Sequence, residues 1–108
     1  MAQLTSTPEF YQLLADRFKA LSEPARVQLL HTLEQGEMAV TELVEATGLG
    51  QANVSKHLSI LKSAGLVESR TDKQSRLYRV TDPVVNSVCD SVCSSIERRF
   101  GKRATKRE

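Results

Sequence analysis

The stretch GLGQANVSKHLSILKSAGLV, residues 48–67, constrains the fold more than any other part of the chain. Val54, Leu58 and Leu61 recur at helical spacing, which predicts a helix over roughly residues 51–64 with one apolar face and Ile60 beside it. Asn53, Ser55, Lys56, His57, Ser59 and Lys62 take the rest of its surface, and Gly65 stops it. Upstream, Thr41 is placed to cap TELVEATGLG, a short helix with Leu43, Val44 and Leu49 pointing inward and Gly48 at its end. Downstream, LVESRT and SRLYRV read as short strands joined by the polar turn Asp72–Lys73–Gln74–Ser75, a β-hairpin. A short helix, a tight glycine-containing turn and a second helix form a helix-turn-helix, and a basic hairpin directly after it makes a winged helix.

Helices flank this unit on both sides. Pro8 opens the first at a position where a missing N–H does no harm, and Phe10, Leu13, Leu14, Phe18 and Leu21 follow at spacings of three and four. In SEPARVQLLHTLEQGE, Ser22 is the expected N-cap and Pro24 falls in the first turn. Val27, Leu29, Leu30 and Leu33 are its apolar positions, and Gly36 ends the helix. Asp82 and Pro83 start a last helix running to about Phe100. The expected architecture is mainly α with a small β-hairpin, in the order α1-α2-α3-α4-β1-β2-α5. A single winged helix-turn-helix domain covers residues 1–100, and a basic, disordered tail covers residues 101–108.

The formal net charge of +2 becomes informative when it is divided along the chain of 108 residues. Residues 1–52 carry −4, residues 53–81 carry +4, and the segment from Asp82 onward adds +2. A basic centre and tail behind an acidic front half suit a face that binds a polyanion. No signal peptide is visible and no apolar segment is long enough to cross a bilayer, so a cytoplasmic protein with no membrane partner is expected. Thiols are kept reduced there, which argues against a constitutive disulfide. An enzyme has little support, and no cofactor is expected. There is no glycine-rich phosphate loop and no recognisable carboxylate pair, and His31 and His57 have no evident catalytic partners. Ser55 and His57 are two apart, so on a helix they do not face each other.

A DNA-reading helix needs an apolar face for anchorage, short hydrogen-bonding side chains for base edges, and cations for phosphates. Residues 51–64 meet all three needs. Gln51 and Asn53 fall in the first turn, and either amide can pair bidentately with adenine. Ser55, Lys56, His57, Ser59 and Lys62 are candidates for base edges or phosphate oxygens. Arg70, Lys73, Arg76 and Arg79 suit a wing lying on the backbone or entering the minor groove. A dimeric protein–protein regulatory module is the rival reading of the same features.

FKALSEPARVQLLHTL, VTELVEATGLGQANVSKHLSILKSAGLVESR and YRVTD together resemble the ArsR/SmtB family of small homodimeric winged-helix repressors, over about residues 10–100. The resemblance implies a dimer built by the first and last helices. It also implies a double-stranded operator of two-fold symmetry, released when an inducer binds. Gly50 stands where the family often has a capping Ser, and Lys73 where the wing turn often has Gly. Neither familiar metal site of the family survives. Met38–Ala39–Val40 replaces its CVC-like motif, and Asp82, Val84, Ser95 and Arg98 hold one possible ligand and a cation where the last-helix site would lie.

Both cysteines, Cys89 and Cys93, lie one turn apart in VVNSVCDSVCSSIERRF. At about 100° per residue, Val85, Val88, Cys89, Val92 and Ile96 share a stripe, with Cys89 near its centre and Cys93 at its edge. In a dimer built on this helix the thiols lie near their symmetry mates. Two readings stay open: small buried hydrophobes, or sensor thiols for an oxidant, a persulfide or a thiophilic metalloid such as arsenite. A site of four thiolates across the dimer is a third. A disulfide within the helix would be strained, because Cβ vectors four apart are nearly parallel. Asp90 and Glu97 weigh against a strongly activated thiolate.

Overall fold

The computed structural model describes residues 7–101, so the basic tail expected over 101–108 lies, beyond Gly101, outside the described residues. Helices α1 (Pro8–Ala20) and α2 (Pro24–Thr32) come first, and α2 runs on as a 3-10 turn over Leu33–Gln35. Then follow β1 (Met38–Ala39), α3 (Val40–Thr47), α4 (Gln51–Ser63), β2 (Val67–Asp72), β3 (Ser75–Val80) and α5 (Val84–Phe100). This is a winged helix-turn-helix, as the residue pattern led us to expect, with one strand more than the hairpin.

That strand is short. Met38 and Ala39 pair antiparallel with Tyr78 and Leu77, so β3 lies between β1 and β2. Two residues are too few to carry an alternating pattern, which is why the segment read as a connection. The strand also shifts the start of α3. Val40 follows the strand at once, Ala39 takes the N-cap position, and Glu42 Oε1 accepts from the Ala39 N–H at 2.8 Å. Thr41, the expected cap, is instead inside the helix. Ser22 is likewise not the cap of α2. Its hydroxyl donates to the Lys19 carbonyl at 2.6 Å, closing the end of α1, and Glu23 precedes Pro24.

Gly48 ends α3 with φ 75° and Gly65 follows α4 with φ 80°, left-handed values that glycine reaches without a Cβ penalty. The hairpin register runs from Val67↔Val80 to Asp72↔Ser75, which leaves Lys73–Gln74 as the turn. Lys73 takes φ 59° there, at a position that favours glycine.

The core gathers where α2, α3 and α4 pack on one another and α4 meets β2. Leu29, Leu30, Leu43, Leu58, Leu61, Leu66, Val54 and Val67 are its fully buried members. Each contributes about 1.5–3 kcal/mol relative to exposure. Thr81 ties the exit of the sheet to the end of α4, its N–H donating to Leu66 O at 3.1 Å and its hydroxyl to Gly65 O at 2.8 Å. The terminal helices are covered far less. Tyr11, Leu13, Leu14 and Phe18 on α1 and Val84, Val88, Val92, Ile96 and Phe100 on α5 remain exposed, from 38% to 66%. No described helix is long and apolar enough to cross a membrane.

Candidate nucleic-acid interface

Helix α4 is seated by Val54, Leu58 and Leu61, each at 0% exposure. This fixes its opposite face toward solvent. Gln51, Asn53, Ser55, Lys56, Ser59 and Lys62 are all exposed there. Gly50 takes the N-cap position in extended conformation and offers no side chain to the first-turn amides. The N-terminal part of α4 therefore presents two carboxamides, two hydroxyls and a cation between Gln51 and Ser59. Such groups can both pair with base edges and donate to phosphate oxygens.

His57 is the exception. Expected on the outer face, it is 9% exposed, and its Nδ1 lies 3.2 Å from Nη1 of the equally buried Arg26 on α2. The imidazole therefore belongs to the seat of α4 and not to its reading face. The spacing carried a signal for it, since positions 54, 57, 58 and 61 form an i, i+3, i+4, i+7 set. Arg26, which the sequence reading passed over, fits the same rule with Leu29, Leu30 and Leu33.

The wing follows α4 directly and is bonded to it. Lys62 Nζ donates to Ser69 Oγ at 2.9 Å, and Arg76 Nη1 donates to the same oxygen at 3.1 Å. One hydroxyl thus draws together the last turn of α4 and both strands. Arg70 is held by Glu37 through two bonds of 2.8 Å, from Nε and Nη2. The Arg70 bond pulls the Glu37 carboxyl below its ordinary range, and the same carboxylate raises Arg70. Arg79 pairs with Glu68, its cross-strand partner. Lys56 and Lys73 form no ion pair among the described residues. The wing cations therefore divide into two kinds: Arg70 and Arg79 sit on carboxylates, whereas Lys73 and Arg76 are exposed and have no acidic partner among the described residues. Glu37 and Ser69 were missed because their partners are far away in sequence or on another strand.

On α5 the apolar side chains divide between the core and solvent. Val85 turns into the core at 8% exposure, while Val88, Val92 and Ile96 stay open. Asn86 fastens the helix to the neighbouring turn, its Nδ2 donating to Leu30 O at 3.3 Å and to Glu34 Oε2 at 2.8 Å. Cys89 and Cys93 are half-buried and unpaired. Cys89, expected near the centre of the apolar stripe, is half-buried where Val88, Val92 and Ile96 are exposed, and it lies within the field of Glu34. Burial pushes its thiol up, and the charges of Asp90 and Glu34 push it further. Among the described residues no group of three or more His, Cys, Asp and Glu side chains is placed to hold a metal.

Residues 23–69 match the model of the bacterial regulatory protein, arsR family. The biofilm growth-associated repressor of Xylella fastidiosa is 39% identical over 69 residues, which cover 64% of this chain and 60% of that protein. The matched segment therefore spans about three-fifths of that relative. An HTH-type transcriptional regulator of Methanocaldococcus jannaschii, MJ1325, is 35% identical over 81 residues, covering 74% of this chain and 91% of the regulator. Among solved structures, the solution structure of the homodimeric winged helix-turn-helix DNA-binding domain Mb0332 from Mycobacterium bovis superposes with a TM-score of 0.77. It is 30% identical and covers 93% of this chain and 92% of that one. With its core, its helix-turn-helix and its wing in the same order, the chain belongs to the arsR family of bacterial regulatory proteins.

Proposed function

We propose that the chain is a sequence-specific repressor that binds double-stranded operator DNA of two-fold symmetry as a homodimer. The observation that carries this reading is α4. Its inner face is locked into the core and its outer face presents Gln51, Asn53, Ser55, Lys56 and Ser59 to solvent. Base contacts come from Gln51 and Asn53, with Ser55 and Ser59 beside them. Lys56, Lys62, Lys73 and Arg76 meet phosphates, and Arg70 and Arg79 join them when DNA competes with Glu37 and Glu68. Residues 1–100 form the binding and dimerisation unit, and the basic 101–108 segment adds to its positive field. The exposed apolar faces of α1 and α5 support self-association, as does the homodimeric relative from Mycobacterium bovis. The biofilm growth-associated repressor supports a repressing role. Selection of duplexes from a random pool tests the reading and is expected to return an inverted repeat.

Release through thiol chemistry at Cys89 and Cys93 completes the proposal. Both thiols flank the face through which α5 would meet its partner, so a bulky or charged adduct there alters subunit packing. A coupling of about 1–3 kcal/mol is enough for a switch, roughly 5- to 150-fold in affinity. Because burial and two carboxylates oppose the Cys89 thiolate, reaction with peroxide or polysulfide is expected to quicken as pH rises. The double variant Cys89→Ser, Cys93→Ser is expected to bind DNA like the wild type and to ignore peroxide, polysulfide and arsenite. Unchanged sensitivity in a gel shift would leave the thiols a packing role only.

A further inference from the structure

Arg26 is a buried cation with no carboxylate partner among the described residues. Buried charges are ordinarily paired, so its partners must be accounted for. Its Nε donates to the Ala20 carbonyl at 2.7 Å. Ala20 ends α1, and the N–H groups of Leu21 and Ser22 close onto Phe18 and Lys19 instead. Arg26 thus satisfies an orphan carbonyl at the partially negative end of a helix dipole. Its Nη1 reaches His57 Nδ1 at 3.2 Å. A guanidinium has donors only, so as a hydrogen bond this contact needs a lone pair on Nδ1, which a neutral ring with its proton on Nε2 supplies. One side chain on α2 therefore joins the end of α1 to the middle of α4.

We propose that Arg26 is a positioning residue for the DNA-reading helix, acting through a neutral His57 whose protonation unseats α4. The proposal rests on the reading of α4 given above. Protonation would turn Nδ1 from acceptor to donor and set cation against cation. Among the described residues no ion pair sets a carboxylate on the ring, and Glu23, at the N-cap of α2, is exposed. From α2 the charged group at the ring is Arg26. On α1, Arg17 lies at the far end of α4, its guanidinium against Gly65. From α3, Glu42 and Glu45 are exposed and form no ion pair with the ring, and on β2 Glu68 is taken by Arg79. Lys56, the neighbour on α4 itself, is a further cation. The sign is distinctive. A histidine touching phosphate would bind DNA more tightly when protonated, whereas a clamp that needs a neutral ring loosens in acid.

The test uses the full chain and a labelled duplex at constant ionic strength, read by fluorescence anisotropy at about pH 8 and about pH 5.5, which bracket the ordinary histidine range. Wild-type affinity is expected to fall about tenfold or more on acidification. His57→Gln keeps an acceptor for Arg26 at every pH, so it should bind within about threefold of wild type at pH 8 and hold that affinity in acid. Arg26→Lys, which cannot bridge both acceptors, should bind weakly at pH 8 and respond little to pH. Wild-type affinity that is flat or rises in acid, or a His57→Gln profile that falls in parallel, overturns the clamp. Long-range nitrogen–proton spectra of His57 in the free wild-type protein at pH 8 supply a second readout, independent of variants and of DNA. An Nε2–H ring upholds the clamp and an Nδ1–H ring overturns it. A folded wild type that binds no duplex at pH 8 refutes the reading of α4, and the imidazole spectrum then decides the clamp by itself.

Discussion

Replacing Leu13 and Val92 together with glutamate is expected to yield a folded monomer and to lower operator affinity by about 10²–10⁴-fold, the advantage of linking two half-site contacts. The two side chains are 65% and 54% exposed on the single chain, so neither change removes a core contact within it. In a two-fold dimer each glutamate would be buried near apolar neighbours and close to its own symmetry mate, a cost of several kcal/mol at ~4 Å separation in a partly dry interface. Loss of the second subunit removes one α4 and one wing while the other set stays intact. Sedimentation and anisotropy on the same samples check both halves of the expectation. A variant that remains dimeric would place self-association elsewhere on the surface, and a monomer that binds the operator as tightly as wild type would show that one subunit suffices for binding.

The double variant Gln51→Ala, Asn53→Ala is expected to lose about 10²-fold or more in affinity for the operator and almost nothing for a scrambled duplex. Each bidentate amide–adenine pair is worth about 1–3 kcal/mol of discrimination, and a dimer presents each position twice. Both side chains are exposed, so the fold loses no packing, and alanine favours the helix slightly more than either amide. Neither residue is charged, so the dependence of affinity on salt should not change. Lys56→Ala is the contrasting case. It should weaken all sequences alike and reduce the salt slope by about 1.8, roughly 0.9 for the phosphate contact of each subunit. An equal loss on operator and scrambled duplex from the amide variant would show that α4 only positions the protein.

Much of this was legible in the residues, and the parts that were not have identifiable causes. The inward positions of α4 and the glycine stops at 48 and 65 follow from spacing and backbone freedom alone. The polar outer face did too, except at His57. A histidine reads as polar in a composition count, but its place three residues after Val54 and one before Leu58 sets it inward. Arg26 is the same case, since its charge suggests the surface while its spacing to Leu29, Leu30 and Leu33 sets it inward. The Glu37–Arg70 pair joins residues 33 apart, and only the antiparallel return of β3 between β1 and β2 brings their elements together. Cys89 shows the limit of a helical wheel. A wheel groups the apolar side chains, but α5 divides that group between the core at Val85 and an open face at Val88 and Val92. Which part faces inward depends on where Asn86 docks against Leu30 and Glu34.

The most direct test of the central claim, that two copies of α4 read a symmetric duplex, is selection of bound sequences from a random pool. Affinity of the winner is then measured across a range of salt. The expected result is an inverted repeat with half-sites one helical turn or a multiple apart, bound by two chains, with affinity falling steeply and linearly on a logarithmic salt axis. Recovery of no preferred sequence, or of an asymmetric site bound by one chain, would contradict it.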